Sequence, residues 1–92
     1  MTTTRIPVLP RGVRLHFDKV RGKNVLLAPE RTLFLDDTGY AILSEVDSKR
    51  AIAEIARHLA ALYNAPEDAI ASDINEFVDD LADKRVLEFA DA

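Results

Sequence analysis

A chain of 92 residues has room for one compact domain with a single core, since at that size only roughly 60–65% of the unfolded surface is buried on folding. Hydrophobic residues make up 48% of it and charged residues 30%, with four prolines, three glycines and no cysteine, which excludes collagen-like and disordered classes, a disulfide framework and a thiolate metal cage. The net charge of −4 is split: residues 1–31 hold seven Lys or Arg against Asp18 and Glu30, a balance of +5, and the remainder carries −9, so two faces of opposite sign are expected.

Residues 1–12 contain Pro7, Pro10 and Gly12 without any period and read as an extended, flexible arm, with the ordered domain over 13–92. Neither a run of signal-peptide character nor about 18 consecutive apolar residues occurs, so a cytoplasmic protein that does not enter the membrane is expected. Val13, Leu15 and Phe17 alternate with Arg14, His16 and Asp18, the period of a half-buried strand. A polar loop around Gly22 leads to a second strand, Asn24 to Ala28, and Pro29-Glu30-Arg31 turns into a third, Thr32 to Asp36. The three form a meander in which the third strand is an edge.

At Asp36-Asp37-Thr38 the pattern becomes helical, with Ile42, Leu43 and Val46 giving a short first helix that ends near Asp47. Ser48 is placed as the cap of a second helix whose stripe is Ile52, Ile55, Ala56, Leu59, Leu62 and Tyr63. Asn64-Ala65-Pro66 stops it, and the third helix follows with Ile70, Ile74, Phe77, Val78 and Leu81 inward and Asp68, Asp73, Glu76, Asp79, Asp80 and Asp83 off that stripe. Val86, Leu87 and Phe89 add a terminal extended segment. Strands first and helices after predict an α+β, winged-helix-like fold: a three-stranded antiparallel N-terminal sheet followed by three helices.

Machinery for catalysis is not visible. His16 and His58 stand outside any metal-ligand spacing and read as solvent-facing, and Ser48 and Ser72 lack a nucleophile elbow or an anion-binding glycine loop. Asp36-Asp37 reads as helix capping and Asp79-Asp80 as part of a solvated face, since neighbours on a helix do not face each other across a cleft. Tyr40, Tyr63 and Phe77 read as core or half-buried aromatics. Asp47-Ser48 before a helix is similar to the phosphopantetheine site of carrier proteins, but Lys49 and the three strands do not suit a four-helix carrier. No enzyme activity, metal or cofactor is expected. The alternative function is a nucleic-acid-binding winged helix using Arg14, Lys19, Arg21, Lys23 and Arg31, because the third helix, with seven acidic residues and no basic one from Glu67 to Asp83, has the wrong sign for phosphates.

Several local patterns taken together resemble the PqqD family of pyrroloquinoline quinone (PQQ) biosynthesis. They are Arg14-Leu15-His16-Phe17-Asp18, then Val25-Leu26-Leu27-Ala28-Pro29-Glu30 with Leu33 and Leu35, Thr38-Gly39 with Ile42-Leu43, the helix of Ile52, Ile55, Leu59 and Tyr63, and Asp73-Ile74 with Phe77 and Leu81. The order and spacing over about 75 residues carry the resemblance. Two departures fall at turns: Ser48 stands where that family commonly has glycine, and Asp83-Lys84-Arg85 replaces a more usual glycine.

The resemblance implies a peptide chaperone, a precursor-peptide recognition domain that binds the peptide PqqA and presents it to the radical S-adenosylmethionine (SAM) enzyme PqqE. It further implies a leader segment added as a strand beside the third strand, against the third helix. An edge strand offers unpaired N–H and C=O groups for such pairing. The peptide-binding residues expected are Thr32, Leu33, Phe34, Leu35 and Asp36 with Ile70, Ile74, Phe77, Val78 and Leu81, the helical ones also being candidates for plain core packing. Partners beyond PqqA and PqqE are not expected: no nucleic acid, no membrane, and a monomer rather than a dimer.

Overall fold

The computed structural model describes residues 4–90. Eight elements run in the order β1 (Ile6–Val8), β2 (Arg14–Asp18), β3 (Lys23–Ala28), β4 (Arg31–Phe34), α1 (Asp37–Ser44), α2 (Ile52–Tyr63), α3 (Glu67–Asp83) and β5 (Glu88–Ala90). The antiparallel sheet β2-β3-β4 and the three helices make the α+β, winged-helix-like fold that the sequence predicts. β1 and β5 form a second, two-stranded antiparallel sheet in which Pro7 faces Phe89.

The period-2 pattern sets the faces of the larger sheet. Leu15, Leu26 and Leu33 stand in one cross-strand row on the face toward the helices' core, and His16, Val25 and Phe34 in the next row on the opposite face, where His16 and Phe34 are exposed but Val25 is buried. Leu26 is fully buried, and with Ile42, Leu43, Ile52, Ile55, Leu59, Ile74, Val78 and Leu81 it builds the core. Each such side chain contributes about 1.5–3 kcal/mol by leaving water. The β2–β3 turn is held by Asp18, whose carboxylate accepts the Val20 and Arg21 N–H groups at 3.0 and 3.2 Å.

Asp36 caps α1 by accepting the Gly39 N–H at 2.7 Å. The helix is shorter than expected, ending at Ser44, because Glu45 and Val46 turn back onto the Ile42 and Leu43 carbonyls. Ser48 is not the cap of α2. The helix begins at Ile52 with Ala51 as its cap residue, and the Glu54 carboxylate accepts the Ala51 N–H at 3.0 Å. Asp47 organises the connection instead, accepting the Lys49 and Arg50 N–H groups at 3.0 and 2.9 Å, and Ser48 between them is at φ +65°.

The buried stripe of α2 runs Ile52, Ile55, Ala56, Leu59 and Ala60, whereas Leu62 and Tyr63 are exposed rather than continuing it. Both α2 and α3 end in the paired hydrogen bonds of a left-handed C-terminal cap, at Asn64 and at Arg85. α3 carries Ile74, Val78 and Leu81 into the core and its acidic side chains outward.

The arm expected over residues 1–12 contains strand β1, so regular structure starts before Val13. Its anchor is Arg5. The guanidinium donates to Asn75 Oδ1 at 2.9 Å and Asp79 Oδ1 at 2.8 Å on α3 and lies 4.2 Å from the centre of the Phe89 ring. The Arg5 carbonyl accepts the Ile52 N–H, one of the donors that the start of α2 leaves without a helical partner.

Candidate functional site

Among the described residues, β2 and β4 are the edges of the three-stranded sheet, because β3 lies between them. In an antiparallel pair, residues alternate between those whose N–H and C=O face the partner strand and those whose groups face away. The Leu35 N–H donates to the Asn24 carbonyl at 3.0 Å, which fixes the phase: Leu33 and Leu35 bond inward to β3, and the N–H and C=O of Thr32 and Phe34 point off the edge. The free edge of β4 therefore presents a short ladder of two donors and two acceptors. Phe34 adds an exposed ring beside it, within 5.5 Å of the Arg21 guanidinium and 5.9 Å of the Lys23 ammonium.

Two concavities follow the strand. The shallower is lined by Gly22, Lys23, Asn24, Phe34, Leu35, Asp36 and Asp37. The better enclosed one, of about 280 Å3, is lined by Asp37, Thr38, Ala41 and Ile42 of α1, Leu59 and Tyr63 of α2, and Ile70, Asp73 and Ile74 of α3. Asp37, in the first turn of α1, is the one residue that lines both.

The ten residues expected at a groove divide accordingly. Thr32 and Phe34 are exposed on the edge, Leu33 and Leu35 are half-buried against the core, and Asp36 is exposed while capping α1. Ile70 is half-buried at the cavity wall, and Ile74 lines it from the core. Phe77 packs across α1, its ring so close to Gly39 that a Cβ there would come within 3.1 Å of it. Val78 and Leu81 are core residues that line neither concavity.

The cavity is also lined by Asp37, Thr38, Ala41, Leu59, Tyr63 and Asp73, which are outside the expected set because that set pairs the strand with α3 and does not include α1 or the end of α2. The available signal was Tyr63, a large aromatic in the last turn of a helix just before the Asn64 stop, where the inward face is running out. Tyr40 and Tyr63 are exposed, not core or half-buried, and only Phe77 is half-buried.

The electrostatics are structural in origin. Asp47 is held below the ordinary aspartate value of 3.8, chiefly by the Arg50 N–H and then the Lys49 N–H. Asp18 is lowered in the same sense, chiefly by the Arg21 N–H. Arg50 is raised by its hydrogen bonds to the Glu45 carboxylate and then to Asp47, and His58 stands 3.6 Å from the same Glu45 oxygen. No group of three or more metal-ligating side chains converges among the described residues, and no described helix is long and apolar enough to cross a membrane.

Fold and site together are those of a small recognition domain with an open strand edge. The chain belongs to the PqqD family: residues 23–87 match the family described as Coenzyme PQQ synthesis protein D. It is 48% identical over 80 residues to a PqqA binding protein of Rhizobium meliloti, covering 87% of this chain and 82% of that one. It is 52% identical over 83 residues to the bifunctional coenzyme PQQ synthesis protein C/D of Methylorubrum extorquens, covering 90% of this chain but spanning only 22% of that longer protein.

Among solved structures, the solution structure of the PqqD truncation of Methylobacterium extorquens PqqCD, described as a functional, stand-alone recognition element for ribosomally synthesised and post-translationally modified peptides, superposes with a TM-score of 0.83 at 49% identity. That similarity covers 95% of this chain and 93% of the other. TbiB1, solved in complex with the TbiA(beta) leader peptide, has a TM-score of 0.74 at 26% identity, covering 90% and 98%.

Proposed function

We propose that this protein binds the precursor peptide PqqA of PQQ biosynthesis as an added strand on β4 and presents it to the radical SAM enzyme PqqE. It acts as a cytoplasmic monomer and leaves the chemistry to the enzyme. The observation that carries this reading is the free edge of β4, where Thr32 and Phe34 turn their backbone groups outward. The relative named a PqqA binding protein and the solved domain bound to a leader peptide support it.

Backbone pairing supplies adhesion at any sequence, and side chains entering the two concavities supply selection. Leu33 and Leu35 are bonded to β3 and packed against the core, so pairing with a peptide uses the outward groups of Thr32 and Phe34 without breaking the sheet. Isothermal titration with PqqA tests the reading through Thr32→Pro, which removes an outward N–H from a strand position that β3 does not use. Loss of one bond and an unmatched acceptor on the peptide predict affinity about tenfold or more weaker. Wild-type affinity in a folded Thr32→Pro protein contradicts strand addition on β4.

A further inference from the structure

The inference concerns the cavity of about 280 Å3 between α1, α2 and α3, and it rests on the peptide-binding reading above. Ile42, Leu59 and Ile74 line it from the core and make its depth apolar. Asp37, Asp73 and Tyr63 line the same cavity and are exposed, so they form its mouth. No Lys or Arg lines it, and the volume falls just under the range of about 300–1,000 Å3 for small-molecule sites, a size suited to a side chain of a bound peptide.

The two carboxylates differ from several of their neighbours. Asp36 caps α1, Asp79 holds Arg5 and Asp80 holds Lys84. Asp37 and Asp73 receive no hydrogen bond or ion pair from any described residue, so both cavity-lining carboxylates are exposed acceptors that no described side chain engages.

We propose that this cavity accepts a long cationic side chain, lysine or arginine, from the bound peptide. The aliphatic stem of such a residue buries against Ile42, Leu59 and Ile74, and its charged head stays at the mouth between Asp37 and Asp73, alongside the Tyr63 ring. A purely apolar residue fills the same depth but makes no ion pair with either carboxylate. A glutamate or aspartate is repelled, by these two groups and by an α3 that has seven acidic residues and no basic one. Asp37 also lines the concavity that includes Phe34 and Leu35, and it follows the end of β4 by three residues, which puts one of the two carboxylates close in sequence to the strand.

The test is a set of titrations with PqqA and with PqqA peptides in which each Lys or Arg is replaced in turn by Met. Each peptide is titrated against wild type, Asp73→Asn, Asp37→Asn/Asp73→Asn and the control Glu76→Gln, an exposed α3 position outside the cavity. Asp73 lies mid-helix, so Asp73→Asn avoids the terminal dipole change that Asp37→Asn brings to α1. The expectation is that one Met peptide binds wild type roughly tenfold more weakly than PqqA, but binds the double variant no more weakly than PqqA does, with Glu76→Gln behaving as wild type. Equal affinity of wild type and the double variant for every peptide overturns the cavity assignment and leaves strand addition standing. Absence of PqqA binding to wild type overturns both.

Discussion

Ser48 at φ +65° and Arg85 at φ +62° each hold a Cβ in the left-handed region, which costs roughly 1–2 kcal/mol for a residue other than glycine. Glycine relieves that strain and gives back part of it as unfolded-state entropy. Ser48→Gly and Arg85→Gly are each expected to stabilise by up to about 1 kcal/mol, seen as a rise of a few degrees in Tm. Both sit at the turns where the PqqD resemblance implies a more usual glycine. Asp47, beside Ser48, makes a second prediction. Its folded pKa lies below 3.8, so the stability it contributes is present above that pH and lost as pH falls through the folded value. Urea midpoints taken down through this range are expected to fall less for Asp47→Asn than for wild type, and parallel curves contradict the role of the Arg50 and Lys49 N–H groups.

The elements that were legible in the sequence are those whose pattern is local. β2, β3 and β4 follow from alternation around Leu15, Leu26 and Leu33, and α3 from Ile70, Ile74, Val78 and Leu81. β1 was not, since Ile6-Pro7-Val8 is too short for a period, includes a proline, and becomes a strand only against Glu88–Ala90 at the far end of the chain. Ser48 was misread because serine and aspartate are both cap residues, and only the folded loop shows that the Asp47 carboxylate takes the two N–H groups. Of the candidate site, the edge of β4 was readable, but a stripe along α3 does not by itself separate the cavity residue Ile74 from the core residues Val78 and Leu81.

The clasp at β1 yields its own test. Arg5→Ala removes a donor from Asn75, which is buried and whose own Nδ2 donates to the Ala71 carbonyl at 3.0 Å. It also uncovers the Phe89 ring. The expected loss is about 1–3 kcal/mol in urea unfolding, and an unchanged midpoint removes Arg5 as the link between β1, β5 and α3.

On the scale of the molecule, charge and shape are arranged together. The β2–β3 hairpin carries Arg14, Lys19, Arg21 and Lys23, with Arg31 on β4, and α3 carries seven acidic residues, so a polyanion meets α3 as a repulsive surface and is drawn to the sheet instead. The outward groups of Thr32 and Phe34 belong to the strand that ends just before Asp37, which lines the helical cavity. The most direct test of peptide capture on β4 is an NMR titration of the 15N-labelled protein with PqqA. The account predicts the largest backbone amide shifts at Thr32 and Phe34, extending through Asp37 to Ile70 and Asp73. Shifts confined to residues 14–23 of the basic hairpin, with Thr32 and Phe34 unmoved, contradict it.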